Sequence, residues 1–352
     1  MNAPRIRLLI VDDSNFVRVA LRKMLEPADD IEIVGEARNG AEALRLSRKL
    51  KPHVVAMDLN MPIMDGIESV QAIAREKGPP TIMVSNETSE GAAATIRALE
   101  AGAVDFVCKN TSFITFDTDS IERQLTDKVR HWGRWRMAAL KEIAPPAPAE
   151  APAPPPMGGR TAARRPDLVA VGVSTGGPVT LVELLGLLGP LPCPLVVAQH
   201  MPATFTRGFA VSLGRTLKRP VEEGADGTVL EAGTVTILKG GGDLVVKRAA
   251  NGRFVLRTAP AGAEVHHPSA NLLFASAAAE ARAPVAVILT GMGDDGTLGA
   301  KEFARGRHPV LVQDPASCAV DGMPRAAIRA GVASEVLSVT AIGRKLNAWF
   351  IL

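Results

Sequence analysis

Residues 144–166 carry eight of the chain's 26 prolines among alanines, glycines and arginines, with almost nothing large and apolar. Proline removes a backbone donor and favours extended polyproline II, so this stretch has no means of joining a hydrophobic core. It reads as a semi-rigid spacer that cuts the 352 residues into two halves. A disordered insertion within one domain is the weaker reading, because each half alone shows a complete alternation of strand-like and helix-like stretches. The expected organisation is a domain over 1–140, a linker over 141–166 and a second domain over 167–352.

In the first half, short apolar runs stand at 5–11, 31–36, 53–57, 81–84 and 104–107. Helix-period stretches lie between them at 16–25, 41–50, 66–74, 92–99 and 120–141. Five strand-then-helix units imply an α/β parallel sheet covered on both faces, which binds ligands beyond the carboxyl ends of its strands. The second half opens the same way, with apolar runs at 168–173, 195–199 and 285–290 that each lead into polar or glycine-rich loops. Between them, residues 234–238, 244–247 and 254–258, punctuated by Gly240, Gly241, Gly242 and Asn251-Gly252, read as antiparallel hairpins inserted into the α/β unit. The fold class is thus two doubly wound parallel-sheet domains, the second larger and interrupted by a hairpin.

Composition narrows the function. Lys+Arg 40 against Asp+Glu 37 is too balanced for a chain that binds nucleic acid mainly by neutralising phosphates. Cys108, Cys193 and Cys318 are far apart and form no zinc-like cluster. The apolar run at 8–11 ends at once in Asp12 and Asp13, which gives no signal-peptide core, and no run approaches the roughly 20 apolar residues of a membrane span. A cytoplasmic protein without direct membrane insertion is expected.

Asp12 and Asp13 follow the first strand of the first half and Asp58 follows the third, so the topology gathers three carboxylates at one end of the sheet. They repel one another unless a hard divalent cation such as Mg²⁺ takes their oxygens, and such a cation also neutralises an incoming phosphoryl group. Lys109 after the fifth strand adds a positive charge, and Ser85 after the fourth a hydroxyl. A phosphoryl acceptor site follows. Singly, Asp12-Asp13 is better read as a polar strand end and Asp58 as a helix cap; the coincidence of all five residues favours the site.

These residues resemble the response-regulator receiver domains, through Asp12-Asp13, the run from Asp58 to Gly66, Ser85 and the run from Asp105 to Lys109. The resemblance implies that Asp58 takes a phosphoryl group from a chemotaxis histidine kinase, with Asp13, Asp58 and the Asn60 carbonyl on Mg²⁺ and Asp12 assisting. It further implies that Lys109 and Ser85 contact the phosphoryl oxygens and that Phe106 repacks. One departure is Asn110, where the family usually has proline after the lysine.

In the second half, Ser174 sits in Gly172-Val-Ser174-Thr-Gly-Gly-Pro178, where a strand ends and an apolar helix begins. The helix N-terminus directs positive partial charge at the serine, which suits a nucleophile, but a phosphate-binding turn has the same chemistry. His200 closes the next strand and can exchange a proton with the serine. A carboxylate from Asp294-Asp295, in Thr290-Gly-Met-Gly-Asp-Asp-Gly296, ends another strand and can fix the imidazole tautomer.

This half resembles the CheB family of chemotaxis protein-glutamate methylesterases over 172–178, 199–202, 289–296 and 313–324. Carried across by position, the resemblance implies Ser174 as nucleophile, His200 as base, Asp295 as orienting acid and the Met292 N–H as oxyanion donor, with Thr175 nearby and no cofactor for ester hydrolysis. The implied substrates are methylated glutamates on the cytoplasmic helices of chemoreceptors, with deamidation of glutamine there as a second implied activity. Departures are Lys239-Gly-Gly-Gly-Asp243 for Pro-Gly-Gly-x-His, His267-Pro-Ser269 for Arg-Pro-Ser, and Asn271 for Asp; they bear on the substrate surface. Structural or solvated roles are expected for His53, His131, His266 and His308, and an exposed face for the basic helix carrying Lys128, Arg130, Arg134 and Arg136. Two competing readings are a receiver-linked adaptor with a weak or repurposed hydrolase domain, and a nucleotide-binding domain.

Overall fold

The computed structural model describes residues 4–86, 88–109, 118–140, 164–260, 262, 264 and 266–352. Asn110 and the linker residues 141–163 lie outside the described residues. The chain forms two compact units, residues 1–147 and 148–352.

The N-terminal unit alternates strictly. Its elements are β1 (Ile6–Val11), α1 (Asn15–Leu25), β2 (Ile31–Ala37), α2 (Gly40–Leu50), β3 (Val54–Met57), α3 (Gly66–Arg75), β4 (Thr81–Asn86), α4 (Ser89–Glu100), β5 (Asp105–Lys109) and α5 (Thr118–Ala139). All five strands are parallel, in the order β2-β1-β3-β4-β5. The central strands are apolar on both faces because helices cover both, and β3 is buried throughout. Helix starts carry their own signals. Ser14 accepts from the Val17 N–H, and Asp65 with Glu68 forms a capping box, each cap contributing about 1 kcal/mol. Strand order reverses direction between β1 and β3, which opens a crevice at their carboxyl ends.

The C-terminal unit contains β6 (Leu168–Val173), α6 (Gly177–Leu187), β7 (Leu195–Gln199), α7 (Ala203–Leu217), β8 (Val221–Gly224), β9 (Val229–Leu230), β10 (Val235–Leu238), β11 (Leu244–Arg248) and β12 (Phe254–Thr258). It continues with α8 (Ala270–Glu280), β13 (Pro284–Ile288), α9 (Thr297–Arg305), β14 (Val310–Gln313), α10 (Gly322–Arg329), β15 (Glu335–Leu337) and α11 (Val339–Phe350). Seven parallel strands run in the order β15-β14-β13-β6-β7-β10-β8. The hairpin expectation is corrected at β10: this strand pairs in parallel with β7 and β8 and belongs to the main sheet. All four of its side chains are buried, as a strand covered on both faces requires. Only β11, β12 and β9 form an antiparallel sheet, in that order. The chain reverses its direction of travel across this sheet between β6 and β13, and a crevice opens there too.

Among the described residues, no helix is long and apolar enough to cross a membrane. Four basic side chains of α5 are engaged within their own unit. Lys128 meets Asp105, Arg130 and Arg134 meet Asp30, and Arg136 meets the Lys77 carbonyl.

Candidate functional site

In the N-terminal unit, the loop after β1 is held by an arginine. Buried Arg18 donates to the carbonyl oxygens of Asp12 at 2.7 Å and Asp13 at 3.2 Å, while Asp12 Oδ1 accepts from the Ser14 N–H at 2.9 Å. Asp58 follows β3, and its N–H donates to the Val11 carbonyl at 2.8 Å, which keeps it beside the end of β1. One oxygen from each of Asp12, Asp13 and Asp58 lies within 4.8 Å of the others. The Lys109 ammonium bridges two of them, 2.6 Å from Asp12 Oδ2 and 2.7 Å from Asp58 Oδ1.

Burial pushes the Asp58 carboxyl up. The Lys109 charge and hydrogen bond oppose this, the Asp12 charge adds to it, and the Asn60 N–H opposes it at 3.2 Å from Oδ2, leaving the carboxyl above its usual range. Three carboxylates around one ammonium leave an excess of negative charge, and an all-oxygen donor set of this spacing suits a hard divalent cation. Ser85 lies at the end of β4 with its hydroxyl 2.7 Å from Thr95 Oγ1. Phe106 is buried, with Lys128 Nζ 5.4 Å from its ring centroid.

In the C-terminal unit, the residues singled out in the sequence meet at the crevice between β6 and β13. Ser174 follows β6. Its N–H donates to the Thr290 carbonyl at 2.9 Å and its own carbonyl accepts from Gly177 at 2.8 Å. Gly176, at φ +76°, makes the turn into α6 that a side chain would strain. Gly291, just past β13, passes so close to Ser174 that a Cβ there would lie 2.8 Å from Ser174 Cβ and 2.2 Å from Met323 Sδ. Met292 comes next, and among the described residues its N–H makes no hydrogen bond. Thr175 is buried beside Ser174, with its carbonyl accepting from Thr290 Oγ1 at 2.9 Å.

His200 ends β7, its N–H on the Val173 carbonyl at 3.1 Å. Its Nε2 lies 2.7 Å from Asp295 Oδ2. Asp295 is buried and Asp294 exposed, so only one of the neighbours reaches the imidazole. Asp295 also accepts from the Ala270 N–H at 2.7 Å and the Asn271 N–H at 2.9 Å, the first amides of α8. Burial alone would raise this carboxyl. The His200 hydrogen bond and charge, together with the two α8 amides, outweigh it and hold Asp295 below the usual carboxylate range. An ionised carboxylate on Nε2–H leaves Nδ1 as the ring's acceptor. Ser174 Oγ itself makes no hydrogen bond among the described residues.

Three side chains escaped the sequence reading. Gln199 is buried and donates through Nε2 to the carbonyls of both Ser174, at 3.0 Å, and His200, at 3.1 Å, tying the two turns together. Ser269 caps α8 and lies 3.3 Å from Asp295 Oδ1. His266, expected to be structural or solvated, stacks on His200 with ring centroids 4.8 Å apart. A histidine in a loop carries no local signal of such a contact. His53 does have the structural role expected, its Nδ1 accepting from the Arg7 N–H at 3.1 Å. Asn271, one of the departures, binds α9 through Oδ1 and the Gly299 N–H at 3.0 Å.

Comparison with known proteins gives concordant matches. The response regulator receiver domain family matches residues 8–117, and the CheB methylesterase family matches residues 169–346. Among curated proteins, the chain is similar to a protein-glutamate methylesterase/protein-glutamine glutaminase of Alkalilimnicola ehrlichii, 37% identical over 97% of this chain and 99% of the relative. It is also similar to one of Geobacillus kaustophilus, 39% identical over 96% of each. Among solved structures, it is similar to the CheB methylesterase catalytic domain of Thermotoga maritima, at 36% identity and a TM-score of 0.50, covering 52% of this chain and 97% of that one.

Proposed function

The chain belongs to the CheB methylesterase family and so hydrolyses protein glutamyl methyl esters and deamidates protein glutamine, and we propose that Ser174, His200 and Asp295 perform both reactions under the control of Asp58. The observation that carries this reading is the His200–Asp295 hydrogen bond at 2.7 Å, in the crevice where Ser174 also lies.

Asp295, kept anionic by the α8 amides, holds the proton on His200 Nε2 and leaves Nδ1 as the basic nitrogen. Nδ1 takes the Ser174 proton as Oγ attacks the side-chain ester carbonyl. The Met292 N–H, with Thr175 beside it, stabilises the resulting oxyanion. His200 returns the proton to the leaving oxygen, methanol departs and an acyl-enzyme remains on Ser174. Water, deprotonated by the same nitrogen, attacks that ester and frees glutamate. With glutamine the leaving group is ammonia and the rest is unchanged.

In the receiver domain, the substrate phosphoryl group goes from a chemotaxis histidine kinase to Asp58. Asp12, Asp13, Asp58 and the Asn60 carbonyl would hold Mg²⁺, which supplies charge neutralisation when bound. Lys109 then pairs with the phosphoryl oxygens in place of Asp58, and Ser85 donates its hydroxyl to them. The substrate is a methylated cytoplasmic helix of a chemoreceptor, and the protein works in the cytoplasm.

Methanol release from methylated receptor membranes tests the reading. The full chain should release methanol faster with a small phosphodonor than without it, Ser174→Ala should release none, and a chain starting at Arg164 should be active without the donor. Methanol release that survives Ser174→Ala would overturn the triad, and nucleotide binding in its place would favour a phosphate-binding turn. A truncated chain no faster than the unphosphorylated full chain would remove gating by Asp58 and leave the esterase intact.

A further inference from the structure

The imidazoles of His200 and His266 lie nearly parallel, with centroids 4.8 Å apart and planes inclined by 21°. Residues on either side of His266 are held by hydrogen bonds. His267 Nδ1 lies 2.9 Å from Asp243 Oδ2, the Ser269 N–H donates to Asp243 Oδ1 at 2.7 Å, and the Ser269 hydroxyl donates to Glu264 at 3.0 Å. The ring also borders the oxyanion loop, since a Cβ on Gly293 would lie 3.6 Å from His266 Nε2.

We infer that His266 is a positioning residue for ester hydrolysis, clamping the His200 ring so that Nε2 stays on Asp295, and that it acts only in its neutral form. The inference rests on His200 being the base. When Ser174 attacks, His200 gains a proton and becomes a cation. A neutral imidazole stacked on it offers its π face to that charge, whereas a protonated one sets a like charge 4.8 Å away and opposes the proton transfer. The titratable groups facing His266 are His200, Asp295, Asp294 and His267. Partial desolvation lowers the His266 imidazole from its usual value, the charges of His200 and His267 act in the same direction, and Asp295 and Asp294 oppose them. The stack also covers one face of His200, the side from which water would otherwise compete for the imidazole.

The test is the pH dependence of methanol release by the full chain, activated by a small phosphodonor, on methylated receptor membranes. For the wild type, the acid limb of kcat/KM should fall more steeply than one ionisation allows, because two rings must be unprotonated. His266→Phe, which keeps a ring without a proton, should retain most of the turnover at neutral pH and reduce the limb to one ionisation. His266→Ala should lose about tenfold in kcat with little change in KM. An unchanged kcat and unchanged profile in His266→Ala overturns the inference, as does an unchanged limb in His266→Phe. If the wild type itself releases no methanol through Ser174, the underlying reading falls as well. An active wild type with unaltered variants overturns the inference alone.

Discussion

Asp243 and His267, two of the positions at which this chain departs from the family pattern, are bonded to each other, His267 Nδ1 lying 2.9 Å from Asp243 Oδ2. Where the family usually has a histidine at the hairpin and an arginine before Pro-Ser, this chain has a carboxylate and an imidazole. Carboxylate and imidazole are complementary partners here, and the contact leads, through the Ser269 N–H on Asp243, to the cap of the helix that holds Asp295. These two departures thus form one bonded unit beside the crevice.

Such a unit has a measurable signature. Asp243→Ala and His267→Ala should each lower the melting temperature, and the double variant should lose less than the two losses combined, with a coupling of about 1 to 2 kcal/mol. Strictly additive losses would show that the two substitutions are independent.

The acidic pocket makes a second prediction. With three carboxylates gathered within 4.8 Å, transfer of phosphoryl groups to Asp58 should need a divalent cation. Labelling by a small phosphodonor should stop on adding a chelator, return with Mg²⁺ and be abolished in Asp58→Asn. Asp13→Asn should raise the Mg²⁺ concentration needed. Undiminished labelling of Asp58→Asn would place the acceptor elsewhere.

A third prediction concerns stability and pH. Burial holds the imidazoles of His266 and His308 below their usual value, His308 packing edge-on against Phe303 with centroids 6.0 Å apart. The unfolded chain therefore binds these protons first as pH falls. Their contribution to stability is complete above the ordinary histidine value of about 6.5 and is lost as pH drops through the lower folded-state values. The melting temperature should fall between about pH 7.5 and pH 5.5, and His308→Gln should flatten part of that fall. A melting temperature that rises on acidification over this window would reverse the sign and refute the assignment.

Much of both sites was legible in the sequence because parallel α/β topology converts order along the chain into proximity. Asp12, Asp58 and Lys109 each end an apolar run, as Ser174 and His200 do, and the ends of parallel strands share one rim. What escaped was long-range. The glycines after β10 suggest a hairpin arm, but the strand pairs with β8 and with β7, the latter beginning about 40 residues earlier in register with Leu195. β8 alternates between exposed and partly buried positions, which is an edge strand's pattern and a weak signal. The Gln199 clamp and the His266 stack depend on how loops from different strands pack, and no local spacing encodes that.

The last prediction separates Asp294 from Asp295. These neighbours are chemically identical, and the sequence alone left either free to orient His200. The fold distinguishes them by environment, because Asp295 is buried between His200 Nε2 and the first amides of α8, while Asp294 is exposed. Asp295→Asn would replace an anion with a neutral amide. That amide cannot balance the imidazolium that forms when Ser174 loses its proton, and if its NH₂ faces Nε2 it holds the proton on Nδ1, where the serine's proton must go. The loss in kcat should approach about 10⁴-fold. Asp294→Asn removes only a solvated charge and should cost less than about threefold, by the small magnitude of exposed electrostatic terms. Steady-state methanol release by the two variants, compared at equal phosphorylation, decides the matter. The opposite ranking, or equal mild losses, would mean that the His200–Asp295 hydrogen bond serves structure alone and that another group orients the base.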